Sequence, residues 1–122
     1  MNVNGIGTDI VAVARIAALD ARYGERFRRR VYSSNEQIYC RAKPAPAVHL
    51  AGRFAAKEAV AKAIYQSGWN EVIPLNHIEI LNDPEGRPLV TVRAMPDLQC
   101  LVTISHERDH AIAMAAVERK ES

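Results

Sequence analysis

The chain has 122 residues, the length of one domain, so residues 1–122 are expected to form a single unit with a real core, small enough for assembly to add stability. Apolar residues make up 48% and charged residues 25%, which argues against disorder. No apolar run reaches a membrane span and the start of the chain lacks a signal segment, so a cytoplasmic protein is expected. The net charge of +2 is unevenly spread: Arg15, Arg22, Arg26, Arg28, Arg29 and Arg30 face only Asp20 and Glu25 in the same stretch.

In chain order, residues 3–13 alternate and branch as a largely buried strand, with Gly5 and Gly7 where bulk is expected and a carboxylate, Asp9, in the middle. The following arginine-rich segment reads as helix with a break at Gly24. Ser33 or Ser34 caps a second helix through SSNEQIYCRA, which KPAPA interrupts because proline lacks a donor and disfavours helix in the residue before it. The longest helical signal covers residues 48–66 and ends at Ser67 and Gly68. Strands follow: NHIEIL, a turn at NDPEGRP, LVTVRA, QCLVTISH and HAIAMAAVE. This order predicts an α+β domain, an antiparallel sheet packed against a long helix and shorter helices.

GIGTD is no dinucleotide fingerprint, because Ile10 stands where the third glycine is needed and no helix opens there. Alternation instead puts Gly5, Gly7, Asp9 and Val11 on one face, where the glycines let another element approach closely beside the acid. On the long helix Glu58 and Lys62 are four apart, one turn after Phe54. An exposed pair of this kind is ordinary, but alanines at 55, 56, 59, 61 and 63 imply a helix packed on several sides. Packed against the first strand, it brings Asp9 and Glu58 together. Two such carboxylates repel, and one takes up a proton unless a cation intervenes. Magnesium suits the site, since it accepts one or two carboxylates and completes its octahedron with water and phosphate oxygens.

The remaining motifs are less specific. Ser105 and His106 are adjacent in a strand and point to opposite faces, so they do not form a nucleophile and base pair. His49, His77 and His110 show no ligand spacing and read as structural. NDPEGRP is a tight turn of a kind that can also offer backbone groups to a ligand. Cys40 and Cys100 match neither a zinc nor a disulfide pattern and are expected to be reduced.

GIGTDIVAVARI, FAAKEAVAKAI, the GRP turn and TISHE, in this order and spacing, resemble the holo-acyl-carrier-protein synthases, the short trimeric class of 4'-phosphopantetheinyl transferases. The resemblance covers nearly the whole chain. It implies the 4'-phosphopantetheinyl transferase fold and transfer of the 4'-phosphopantetheine group from coenzyme A to a serine of apo acyl carrier protein. Adenosine 3',5'-bisphosphate is released, and the holo carrier serves fatty acid synthesis. By the same resemblance Asp9 and Glu58 hold magnesium, and Lys62 lies against the phosphates near the reacting centre. Coenzyme A is contacted by Gly86, Arg87 and Pro88, by Ser105 and His106, and by Arg53. Arg15 heads the helix that docks the acidic carrier, with Arg22, Arg26 and Arg28 steering the encounter, while Arg29 and Arg30 read as solvated. Glu58, directly or through water, is the candidate base for the serine proton, a role that competes with metal ligation. The family further implies a homotrimer with active sites at subunit interfaces. Thr103 stands where serine is frequent, and KPAPA is less basic than the loop expected to hold the 3'-phosphate, which leaves the roles of Arg41 and Lys43 open.

Two rival classes are weaker. The arginine cluster suggests a nucleic-acid module, yet the near-neutral total and few aromatics do not support one. Asp9 and Glu58 also suit a metal-dependent phosphohydrolase acting on a coenzyme A-like pyrophosphate.

Overall fold

The computed structural model describes residues 1–120. Strand β1 (Gly5–Ala12) leads directly into α1 (Val13–Tyr23), and Gly24 separates α1 from α2 (Glu25–Val31) at the expected break. Helix α3 (Ser34–Arg41) starts at Ser33, whose hydroxyl accepts from the Glu36 amide while the Glu36 carboxylate accepts from the Ser33 amide. This reciprocal cap satisfies two amides that a helix start leaves unpaired.

Helix α4 (Pro46–Gln66) begins two residues before the expected start, with Pro46 in its first turn. There the missing amide costs nothing and the fixed φ suits the helix, so KPAPA separates two helices yet lends its last proline to the second. Residues on every side of α4 are buried, as its alanines suggested.

After a short 3-10 turn at Leu75–His77 come β2 (Ile78–Asn82), β3 (Pro88–Val92), β4 (Gln99–His106) and β5 (His110–Glu118). The fold is α+β as predicted, but the expected sheet is two: β1-β5-β4 and the separate hairpin β2-β3, all antiparallel. The division falls at residues 94–98. Ala94 takes φ 65° and the Met95 and Leu98 amides close turns onto Val92 and Met95, so the chain reverses and β4 pairs with β5 instead of β3.

Gly5 and Gly7 decide how closely α4 lies on the larger sheet. A Cβ at Gly5 would stand 2.0 Å from the Ala63 carbonyl oxygen, and one at Gly7 would stand 2.1 Å from that of Ala59. Neither neighbour can swing aside, because each belongs to helix backbone. Gly7→Ala therefore forces α4 off the strand, and a loss of about 3 kcal/mol is expected in urea unfolding, the upper end for an overpacked core. A loss under about 1 kcal/mol would mean that the contact is slack.

The opposite face of this sheet is apolar and uncovered in the single chain. Ile6, Ile10, Leu101, Ile112 and Met114 are each about half exposed or more, and the register Ile6–Ala116–Leu101 and Ile10–Ile112–Ser105 makes them one surface. Among the described residues, no helix is long and apolar enough to cross a membrane.

Candidate active site

Asp9 lies on the helix-facing side of β1, paired across the ladder with Ala113, and its side chain is 17% exposed. Lys62, on α4, donates from Nζ to Asp9 Oδ1 and to the Thr8 carbonyl, each at 3.0 Å. Burial pushes the Glu58 carboxyl above its usual pKa, and the nearby Asp9 charge pushes it further, against the opposing pull of Lys62 and Arg15. The predicted convergence of strand and helix is thus present, with the electrostatic conflict that two carboxylates create. Arg15 stands 5.6 Å over the Phe54 ring, at the edge of the same site. Among the described residues, no group of three or more His, Cys, Asp or Glu forms a metal cage. The pair matches the donor set of an ion that keeps water and substrate oxygens in its shell.

A separate cavity of about 730 Å³ opens beside the hairpin, lined among others by Tyr39, His49, Gly52, Arg53, His106 and the turn from Asp83 to Pro88. Gly52 carries no side chain here, and a Cβ would meet Ile104 at 3.2 Å. Arg53, only 6% exposed, stacks 4.5 Å over Tyr39 and donates to the Asn82 side chain, but its buried Nε has no partner. An unpaired buried donor is costly, so the Arg53 guanidinium is held in place by packing and by its bond to Asn82 rather than by Nε. Asn82 in turn donates to the Gly86 carbonyl at 2.8 Å, and Gly86 takes φ 88°, a conformation that favours glycine. Asp83 accepts from the Arg87 amide at 2.8 Å and from its guanidinium at 2.7 Å, which holds the Asp83 carboxyl below its usual pKa.

The predicted site residues fall into three groups. Asp9, Glu58 and Lys62 meet, and Arg53, Gly86, Arg87, Pro88 and His106 share the cavity, yet none of the first three lines it. Ser105 is the exception. It lies in a groove on the other side with Ile10, Glu107, His110 and Ile112, which His106 also borders, and within one chain it does not reach the cavity itself. Among the arginines of α1 and α2, Arg22 stacks 5.2 Å over Tyr23, and Arg26 borders a groove of about 410 Å³ with Leu19, Tyr23, Phe27 and Val31. Arg28 is instead tied to Asp20 at 2.6 Å, joining α2 to α1, which leaves it less available to steer a partner. Arg30, read as merely solvated, borders the same groove as Arg26, while Arg29 pairs with Glu25 at 3.6 Å.

Several polar residues of the cavity were not assigned to it by the sequence reading. Tyr39, His49 and Asn82 line it, and His49, expected to be structural, stands edge-on to His106 with ring centroids 5.4 Å apart. Cys40 and Cys100 are both free, as expected.

The fold and the paired carboxylates define a class, and comparison agrees: the chain belongs to the 4'-phosphopantetheinyl transferase superfamily, whose profile matches residues 5–115. Within it, the chain is 48% identical over 118 residues to the holo-[acyl-carrier-protein] synthase of Protochlamydia amoebophila, covering 91% of this chain and 94% of that one. Among solved structures it is similar to the holo-[acyl-carrier-protein] synthase of Helicobacter pylori in complex with coenzyme A, with TM-score 0.80 and 35% identity over 93% of this chain and 99% of that one. It also superposes on the Chronobacterium ammoniagenes ACPS-CoA complex with TM-score 0.82 and 28% identity, covering 96% and 98% of the two chains.

Proposed function

We propose that the chain is a magnesium-dependent holo-acyl-carrier-protein synthase. It moves the 4'-phosphopantetheine arm of coenzyme A onto a serine of an apo acyl carrier protein, giving the holo carrier for fatty acid synthesis. The observation that carries this reading is the approach of Asp9 and Glu58 from facing elements, close enough for the Asp9 charge to raise the proton affinity of Glu58. Magnesium held by the two carboxylates would supply charge neutralisation for them and for the pyrophosphate of coenzyme A. Lys62, half exposed beside Asp9, adds positive charge against the phosphate oxygens. The serine oxygen bonds to the β-phosphorus as the bond to the oxygen bridging the α-phosphate breaks, and the electron pair leaves with adenosine 3',5'-bisphosphate. The serine proton passes to Glu58, directly or through water. Arg53 and the Gly86–Arg87–Pro88 turn, which line the cavity, hold the nucleotide end there, and the solved relatives in complex with coenzyme A support coenzyme A as the co-substrate. On this reading the enzyme is cytoplasmic.

The test is mass spectrometry of an apo carrier protein incubated with the enzyme and coenzyme A, with and without magnesium. The expected result is a gain of the phosphopantetheine mass only with the metal. Release of adenosine 3',5'-bisphosphate in the absence of any carrier would favour the phosphohydrolase instead.

The same reading makes the enzyme a homotrimer with shared active sites. Two observations support it: the uncovered apolar face of the larger sheet, and the division of the site residues between a carboxylate pair and a cavity it does not line. Asp9→Ala chains and Arg53→Ala chains, each inactive alone, should recover activity when refolded together, because one interface in a mixed trimer then has both halves intact. No recovery in mixtures shown by mass to be trimeric would count against a shared site.

A further inference from the structure

We propose that His49 is a proton-linked phosphate-binding residue. As a phosphomonoester dianion, the 3'-phosphate of coenzyme A, enters the cavity beside Arg53, His49 takes up a proton. This deepens the coenzyme A reading given above and rests on it.

Three features of the cavity point to a second phosphate. The carboxylates and lysine assigned to the pyrophosphate lie outside it, so the nucleotide's other phosphate is the anion available to it. Its most buried polar side chain is Arg53, a guanidinium that lines the cavity and is 6% exposed. His49, on the same helix one turn before Arg53, faces the same space, with its ring edge-on to Tyr39 at 6.2 Å and to His106 at 5.4 Å.

The charges around His49 explain why a proton should come with the ligand. From the segment after α3 comes Lys43, from α4 Arg53, and from β4 His106, every one of them cationic or able to become so; Tyr39, from α3, carries both Lys43 and Arg53 over its ring. Burial and then these neighbours, His106 foremost, hold the His49 pKa below its usual value. The acids nearby are engaged elsewhere: Asp83 and Glu85 with Arg87 on the hairpin wall, and Glu107 with His110 at 3.5 Å. A dianion provides the missing countercharge, and an opposite charge at contact distance raises a pKa by about 1 to 3 units. His49 is then largely neutral in the empty cavity and holds a proton in the filled one. Binding should therefore weaken as pH rises, while below about pH 6 the phosphate itself takes a proton and the gain stops.

The experiment is calorimetric titration of the full-length enzyme with coenzyme A in buffers of different ionisation heat, which counts protons exchanged. At about pH 7.5 the wild type is expected to take up roughly half a proton or more, and its affinity to fall about 5- to 10-fold between about pH 6.5 and about pH 8.5. His49→Phe keeps a ring against Tyr39 and His49→Gln keeps a neutral polar group; each should lose at least half of the uptake and most of the pH dependence. With 3'-dephospho-coenzyme A as the probe, the wild type should show neither. Unchanged uptake in both variants, or equal uptake with the dephospho compound, overturns the proposal while leaving the transferase reading intact. Failure of the wild type to bind coenzyme A or modify a carrier would overturn that reading, and this proposal with it.

Discussion

Replacing Glu58 with glutamine is expected to lower phosphopantetheine transfer by about 10²- to 10³-fold, the cost of removing one group that stabilises developing charge, while raising the stability of the metal-free protein. Both effects have one source. In the folded chain burial and the Asp9 charge disfavour ionised Glu58, so its carboxyl binds a proton more tightly than in the unfolded chain. Between the unfolded and folded pKa the folded state carries more protons, so stability falls as pH rises through that window, and the full penalty is present above it. Glutamine removes the penalty. Its melting temperature should exceed that of the wild type at neutral pH, and the two should converge as pH falls below the ordinary glutamate value of about 4.3. Magnesium should reverse the order by stabilising the wild type and not the variant, because an ion that binds only the folded state adds to its stability. A variant that is no more stable without metal would show that the two acids do not oppose each other, and full transfer activity would remove Glu58 from the site.

That pair was legible in the sequence because its geometry rests on residues with little freedom. Gly5 and Gly7 allow close approach by another element, and the alanines of α4 imply a helix packed on several sides, so the two elements could bring their acids together. The cavity was less legible. Its walls come from α3, α4, the hairpin and β4, and nothing in the spacing of Tyr39, His49 or Asn82 announces that these elements converge. His49 sits on a helix whose alanines drew attention to packing, and a lone histidine there reads as structural until His106 is placed beside it. The splitting of the sheet was hidden for a related reason: strand patterns give existence and face, whereas pairing partners depend on the reversal at residues 94–98, where a non-glycine residue adopts a left-handed conformation.

The largest expected loss of stability comes from a residue that neither spacing nor resemblance assigned a role. Lys57, next to Glu58 in α4, is fully buried and paired with fully buried Glu36 of α3. Its ammonium donates to the carbonyls of Leu75 at 3.2 Å and of Ile78, and it lies 5.6 Å over the Tyr32 ring. Glu36 also accepts from the Ser33 amide at 2.8 Å and from the Ile80 amide at 2.9 Å, so the pair joins α3, α4 and β2. Successive helix residues point about 100° apart, so fixing Lys57 toward the hairpin turns Glu58 toward β1. Lys57→Met fills the volume but leaves a buried carboxylate without its cation and takes the ammonium donor from the Ile78 carbonyl, while Leu75 keeps the Ile78 amide, and should cost about 3 to 5 kcal/mol in urea unfolding. Glu36→Gln in the same chain removes the stranded charge while keeping an acceptor for the cap, so the double variant should be more stable than Lys57→Met alone, by about 1 to 3 kcal/mol. A single variant that loses less than about 1 kcal/mol, or a double variant that gains nothing, would mean that packing rather than the ion pair holds α4 in its orientation.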